Sequence, residues 1–359
     1  MSQQYYREEK VVLEHLSNLS EYESIYVDFH SLFTQNAVIR DKKTEQKINK
    51  IIRNPLLKNI NKALSLSAKL VYCQIITLYA WQKGNYRKAI EASRQQMLLI
   101  ETSPSYIISY PHQYLNVLNT CIHALCYTKR FAEALEYLSK INHIQGKTAE
   151  FRARKFFRAS VLEIFIHNHS GEFSRATERI GAIILEMEKF GNQQIPKNNQ
   201  AFLYFIFGTA FFGAGKYSKA LFWFNKLTNE IGFGKIRVDL YLWVQILTLF
   251  IHYEMKKYEL LPYALGSIHR FLYKKQSLYK FEETILKFIR KKLARIEPYG
   301  DHKTKLIKAF RELHKDILKI SKDPLEGKVL DNFDLLSWLE SKIENRSFEE
   351  VIRQKAISK

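Results

Sequence analysis

The chain has 359 residues, of which 46% are hydrophobic and 26% charged, and this excludes disorder along its whole length. Thirteen glycines and seven prolines are too few for the many tight turns of an all-β sandwich. Lys and Arg number 56 against 36 Asp and Glu, a formal charge of +20 that suits nucleic acid, an acidic protein or an anionic membrane surface without separating them.

The first ten residues carry no apolar stretch, so no secretory signal is expected there. Apolar residues then recur at helical spacing over 5–19 and about 45–66, with no clear pattern over Ser20 to Thr44. From residue 70 onward a short signature returns. It reads small or polar residue, any residue, aromatic, two residues, Ala. The copies are Gly84-Asn85-Tyr86 with Ala89, Lys129-Arg130-Phe131 with Ala134, Gly171-Glu172-Phe173 with Ala176, and Gly215-Lys216-Tyr217 with Ala220. A degenerate fifth, Lys256-Lys257-Tyr258, has Leu261 in place of Ala. The aromatics lie 45, 42, 44 and 41 residues apart. Each copy predicts a helical hairpin. Glycine permits the positive φ that ends one helix, the ring opens the next, and the small residue lets the pair approach. A lone hairpin cannot bury its apolar face, so neighbours must stack.

Thr102 to Tyr110 and Asn192 to Asn199, with their prolines, read as linkers. The most apolar run, Ala201 to Gly215, is too short to span a bilayer and predicts a buried helix. Residues 235–256 are apolar nearly all round, which requires neighbours on several sides. Further helices are expected near 276–296, 302–321 and 331–357, broken by Pro298-Tyr299-Gly300 and by Asp323 to Gly327. The expected fold is all-α.

The repeated unit resembles the tetratricopeptide repeat. In the copy at 201–232, Tyr204, Phe207, Gly208, Phe211, Gly215, Tyr217, Ala220, Phe224 and Leu227 fall on that family's signature positions. The other copies carry Thr77, Ile122 and Ile164 at the small-residue position of the first helix, and their spacing exceeds the family's 34 residues. The resemblance implies an α-solenoid of stacked antiparallel hairpins. It divides the chain into an N-terminal helical cap (1–69), an array of about five hairpins (70–274) and a basic C-terminal helical extension (275–359).

It also implies a concave groove lined by the first helix of each pair. Carried onto this sequence, the groove positions are Asn116, Asn119, His123, Cys126 and Tyr127 in copy two. Copy three contributes Arg158, Val161, Phe165, Asn168 and His169, and copy four Phe202, Phe205, Thr209 and Phe212. The polar members could hold a peptide backbone and the phenylalanines could form an apolar floor. In copies one and five the same positions hold Val71, Leu78, Trp243, Ile246 and Phe250, with Gln74 the polar exception, so flanking helices are expected to cover them.

Charge is uneven. Arg270 to Ile320 holds 15 basic and 6 acidic residues, and Arg40 to Lys62 holds 8 and 2. Lys287, Arg290, Lys291, Lys292 and Arg295 interleave with apolar residues as an amphipathic basic helix. The aromatics nearby (Tyr273, Tyr279, Phe281, Phe288) sit at spacings typical of core.

No catalytic constellation emerges, and no metal or cofactor is expected. Gly208 to Lys216 fails as a phosphate loop, since Ala210 stands where the first Gly belongs and Tyr217 replaces the Ser/Thr; Gly232 to Ile236 fails likewise. His167 and His169 are two apart, so on a helix they point in different directions. Cys73, Cys121 and Cys126 form no disulfide framework and read as buried side chains in a reducing compartment, hence the cytoplasm. The expected function is non-catalytic capture of a protein or peptide in the groove, with the basic flanks suited to steering an acidic one. The alternative is a helical-repeat nucleic-acid binder using 40–62 and 270–320.

Overall fold

The computed structural model describes residues 2–35, 39–190, 195–231, 237–274, 279–295 and 303–357. Among these residues every regular element is helical: seventeen α-helices and short 3-10 turns, with no strand. The chain divides into two compact units, Met1–Lys155 and Phe156–Lys359. Gly232 to Ile236 and the Pro298 to Gly300 break lie outside the described residues.

The five corners foreseen from the repeat are equivalent in backbone geometry. Gly84, Lys129, Gly171, Gly215 and Lys256 all take left-handed φ values, between 59° and 76°. The residue after each sends its N–H back five positions. Asn85 reaches the Ala80 carbonyl, Arg130 Leu125, Glu172 His167, Lys216 Phe211 and Lys257 His252, at 2.8–2.9 Å. This closure satisfies carbonyls that a helix end leaves free. The small residue that follows is sealed from solvent in each full copy: Ala89, Ala134, Ala176 and Ala220 are all 0% exposed. Tyr86, Phe131, Phe173 and Tyr217 each open the next helix.

The first unit begins with α1 (Ser2–Gln35), which continues into the stretch that showed no clear pattern as far as Gln35. Tyr22, Ile25 and Phe29 provide the reason, since they form one buried face. The Tyr22 hydroxyl also donates to the Leu56 carbonyl at 2.8 Å. Next come α2 (Lys42–Ile52), two 3-10 turns, and the hairpin of α3 (Leu66–Gln82) and α4 (Tyr86–Glu101). The expected linker 102–110 contains a short helix, α5 (Pro104–Ser109), started by its proline. A second hairpin joins α6 (Pro111–Tyr127) to α7 (Phe131–His143), and α4 packs on α6. Cys73, Cys121 and Cys126 are free and buried, and burial pushes the Cys73 and Cys121 thiols up to about 12.

The unit boundary falls within α8 (Ala149–Ser170). The second unit continues with α9 (Phe173–Phe190), α10 (Lys197–Gly213), α11 (Tyr217–Ile231), α12 (Val238–Glu254) and α13 (Leu261–Lys274). The apolar run of the sequence is α10, buried along almost its whole length. No described helix is long and apolar enough to cross a membrane. A Cβ at Gly208 would stand 2.3 Å from the Phe224 ring, so the lack of a side chain there lets α10 and α11 close on each other. Beyond α13 lie α14 (Lys280–Lys291), α15 (Lys303–Ile320), α16 (Leu335–Glu344) and α17 (Phe348–Ile357). The predicted helix over 331–357 is two helices, because Asn345 turns left-handed at φ 54°.

Candidate functional site

In the first unit, α1, α3, α4, α5 and α6 surround a cleft of about 410 Å³. Helical spacing supplies its walls. Ser67, Leu70, Val71, Gln74, Thr77 and Leu78 share one face of α3, and Gln113, Asn116, Val117 and Thr120 one face of α6. Ser93 and Gln96 come from α4, Tyr106 and Tyr110 from the α5 region, and Leu19 and Glu23 from α1.

The chemistry of this lining is neutral. Amides and hydroxyls dominate, Glu23 is the single charged residue, and no Lys or Arg contributes. Some groups are already held. The Gln74 amide donates to the Tyr26 hydroxyl at 2.9 Å, and the Gln96 amide to the Leu70 carbonyl at 3.2 Å. The Tyr106 hydroxyl bonds Gln113, and its ring lies 4.8 Å from that of Tyr110. Others are not held. Thr77 is only 4% exposed, yet its hydroxyl has no hydrogen-bond partner. Asn119, expected in the groove, does not line the cleft; its Oδ1 is buried and unpartnered elsewhere on α6. A buried polar group without a partner costs about 1–3 kcal/mol, which a ligand donor could recover.

The expected groove residues separate into three environments. Asn116 lines the cleft and is exposed. His123 and Tyr127, further along α6, belong to an aromatic cluster at the corner. Tyr127 stacks on Tyr86 with ring centroids 4.8 Å apart, and Trp81 meets both Tyr127 and His123 edge-on. Cys126 is buried. Arg158 is half-buried on α8.

The apolar floor expected in the second unit is instead core. Phe165, Phe205, Thr209 and Phe212 are all buried. The Phe165 ring meets that of His169 at a tilt, centroids 3.9 Å apart, and the Asn168 amide donates to the Ile206 carbonyl and the Thr209 hydroxyl, both at 3.1 Å. For Phe212 the reason is the C-terminal segment, which folds back over the hairpins, while Phe205 packs against Phe224 of the next helix. Phe333 and Phe348 meet the Phe212 ring edge-on, and Phe348 also stacks on Phe173. Further along, the Trp243 indole donates to the Val329 carbonyl at 2.7 Å, and Trp338 stacks on Phe250 at 4.1 Å. Trp338 and Lys342 both reach Glu254, at 3.1 and 2.5 Å. The covering expected over Trp243, Ile246 and Phe250 is therefore present, and it extends to α10 as well.

His167 and His169 serve separate partners. The Nδ1 of His167 lies 2.7 Å from the Glu172 carboxylate, and that of His169 lies 2.9 Å from the Phe165 carbonyl. Burial pulls His169 down to about 4. No group of three potential metal ligands occurs among the described residues. Lys287, Arg290, Lys291, Lys292 and Arg295 are all exposed, and Lys292 lies 3.8 Å from Glu312.

Sequence reasoning missed Gln96, Tyr106, Gln113 and Tyr110 in the cleft. Tyr106 and Tyr110 lay in a stretch read as linker, and Gln96 belongs to a second helix, which the groove model leaves out. No protein-family model, curated protein or solved structure matches the chain.

Proposed function

We propose that this chain is a non-catalytic binding protein of tetratricopeptide type that takes an extended segment of a partner protein in the cleft of its first unit. The observation that carries the reading is the lining: amides and hydroxyls over an apolar base, with a sealed Thr77 hydroxyl lacking a partner. A peptide main chain alternates N–H donors and carbonyl acceptors, and an amide side chain offers both in return. The absence of Lys and Arg from the lining argues against a strongly acidic segment in this cleft and leaves any acidic preference to the basic regions outside it. Three unpaired, buried cysteines support a reducing, cytoplasmic setting.

Selection of peptides from a random display library against the intact chain tests this. Selected peptides should bind the wild type, and Asn116→Ala combined with Gln113→Ala should weaken them about 5- to 150-fold, given roughly 0.5–1.5 kcal/mol per neutral hydrogen bond. Helicity should not change. Selection without enrichment, or peptides indifferent to both substitutions, would remove the cleft as the binding site.

A further inference from the structure

The second unit carries a surface that the cleft does not use. Its α14 and α15 turn their apolar sides inward, where the Phe288 and Phe310 rings meet at 5.5 Å. Their other sides are cationic. On α14, Lys287, Arg290 and Lys291 are exposed at i, i+3 and i+4. On α15, Lys305, Lys308, Arg311 and Lys315 are exposed at i, i+3, i+6 and i+10. None of these seven meets a carboxylate among the described residues. Of the nearby acids, Glu312 lies beside Lys292 and Asp316 beside Lys319, and Glu283 is the one exposed carboxylate on α14. Such a row of like charges repels itself, and a polyanion relieves that repulsion.

Beside α14 lies α13, whose inward residues Leu261, Leu265, Ile268 and Leu272 are buried. Its outward face presents Tyr263, Arg270 and Tyr273. The two tyrosines are 80% and 76% exposed. The spacing of Tyr273 had suggested core; the structure places its ring outside. Bare aromatic rings on one helix and unpaired cations on the helix packed against it are the two elements by which single-stranded nucleic acids are held without reading sequence. Bases stack on the rings and phosphates lie along the cations. A duplex would leave the rings unused, because its bases are already stacked. An anionic membrane would call for bare bulky aliphatic side chains among the cations. Among the described residues of α13–α15 the one such side chain is Leu318, at 40% exposure.

We propose that the α13–α14–α15 face binds single-stranded nucleic acid, with the cations on the phosphodiester backbone and Tyr263 and Tyr273 stacking on bases. The site is independent of the peptide cleft, which belongs to the first unit.

Fluorescence anisotropy of the full chain with labelled 20-nucleotide single-stranded RNA and DNA of mixed sequence tests the proposal over roughly 50–300 mM salt. Binding should be measurable at low salt and fall steeply, by about 0.7 in log affinity per log salt for each phosphate neutralised. The triple variant Lys287→Glu, Arg290→Glu, Lys291→Glu should lose at least tenfold affinity and show a shallower salt slope. Replacing both Tyr263 and Tyr273 by Ala should cost about 30-fold or more with the slope unchanged, and Phe at both positions should restore it. Circular dichroism melts check that every variant is folded. No binding at low salt would overturn the proposal. So would tyrosine variants that bind as the wild type does, equal affinity for duplex, or preferential binding to phosphatidylserine vesicles.

Discussion

At the five repeat corners the chain bends into the left-handed region, and two of the corner residues are lysines. A residue with a Cβ pays a conformational penalty of about 1 kcal/mol there that glycine avoids. Gly84 and Gly215 have open space where a side chain would project, so substitution at either tests backbone conformation alone. Gly215→Ala should destabilise by about 1 kcal/mol and Lys129→Gly should stabilise by about 0.5–1 kcal/mol, read from urea midpoints with unchanged slope. Equal midpoints for all three proteins would mean that the corners are not strained. These corners were legible because their demands are local: a φ value, a ring two positions on, a methyl-sized neighbour. Lys129 and Lys256 break the glycine rule yet adopt the same geometry, and there the periodic position of Phe131 and Tyr258 was the better signal.

Among the helices, the C-terminal pair α16 and α17 was the least legible. Its presence was foreseen, but its destination was not. Phe205 and Phe212 would look the same in sequence as an open floor or as a sealed one. The ring that seals α12 is Trp338, and no local rule links it to Phe250 far back in the chain. The predicted stretch 331–357 also hid the left-handed Asn345 that separates the two helices. Trp338 is 1% exposed, stacked on Phe250 and hydrogen-bonded to Glu254. Trp338→Ala should therefore destabilise by about 3–5 kcal/mol in a denaturant melt, the range for emptying an aromatic site in a core. A cost near zero would mean that α16 is a loosely held cover.

Across the molecule, the all-helical class and the repeat positions followed from the sequence, while the cleft followed only in part. Asn116 and Gln74 were visible as polar residues on inward faces; Gln96 and the tyrosines of the α5 region enter through packing between helices. The second unit has an expected response to acid. His169 and His252 belong to the second unit. Burial lowers both, helped at His252 by Lys257, so both are neutral when folded. Unfolded, each takes up a proton below an ordinary value of about 6.5. The unfolded chain then binds more protons, so the stability these rings contribute is complete above about pH 6.5 and declines toward pH 5. The melting temperature of the second unit, followed by tryptophan fluorescence, should fall over that interval, and His169→Gln should flatten the fall. An identical pH slope in wild type and variant would remove His169 as a contributor.

The fold-back of residues 327–357 has a consequence for biosynthesis. Trp243, Phe250 and Phe212 leave the ribosome before the rings that shield them, so a nascent chain holds a wide aromatic surface open to water until translation has passed Phe348. Chains that stop short of α16 would carry that surface permanently, and cellular quality control would meet them as sticky fragments.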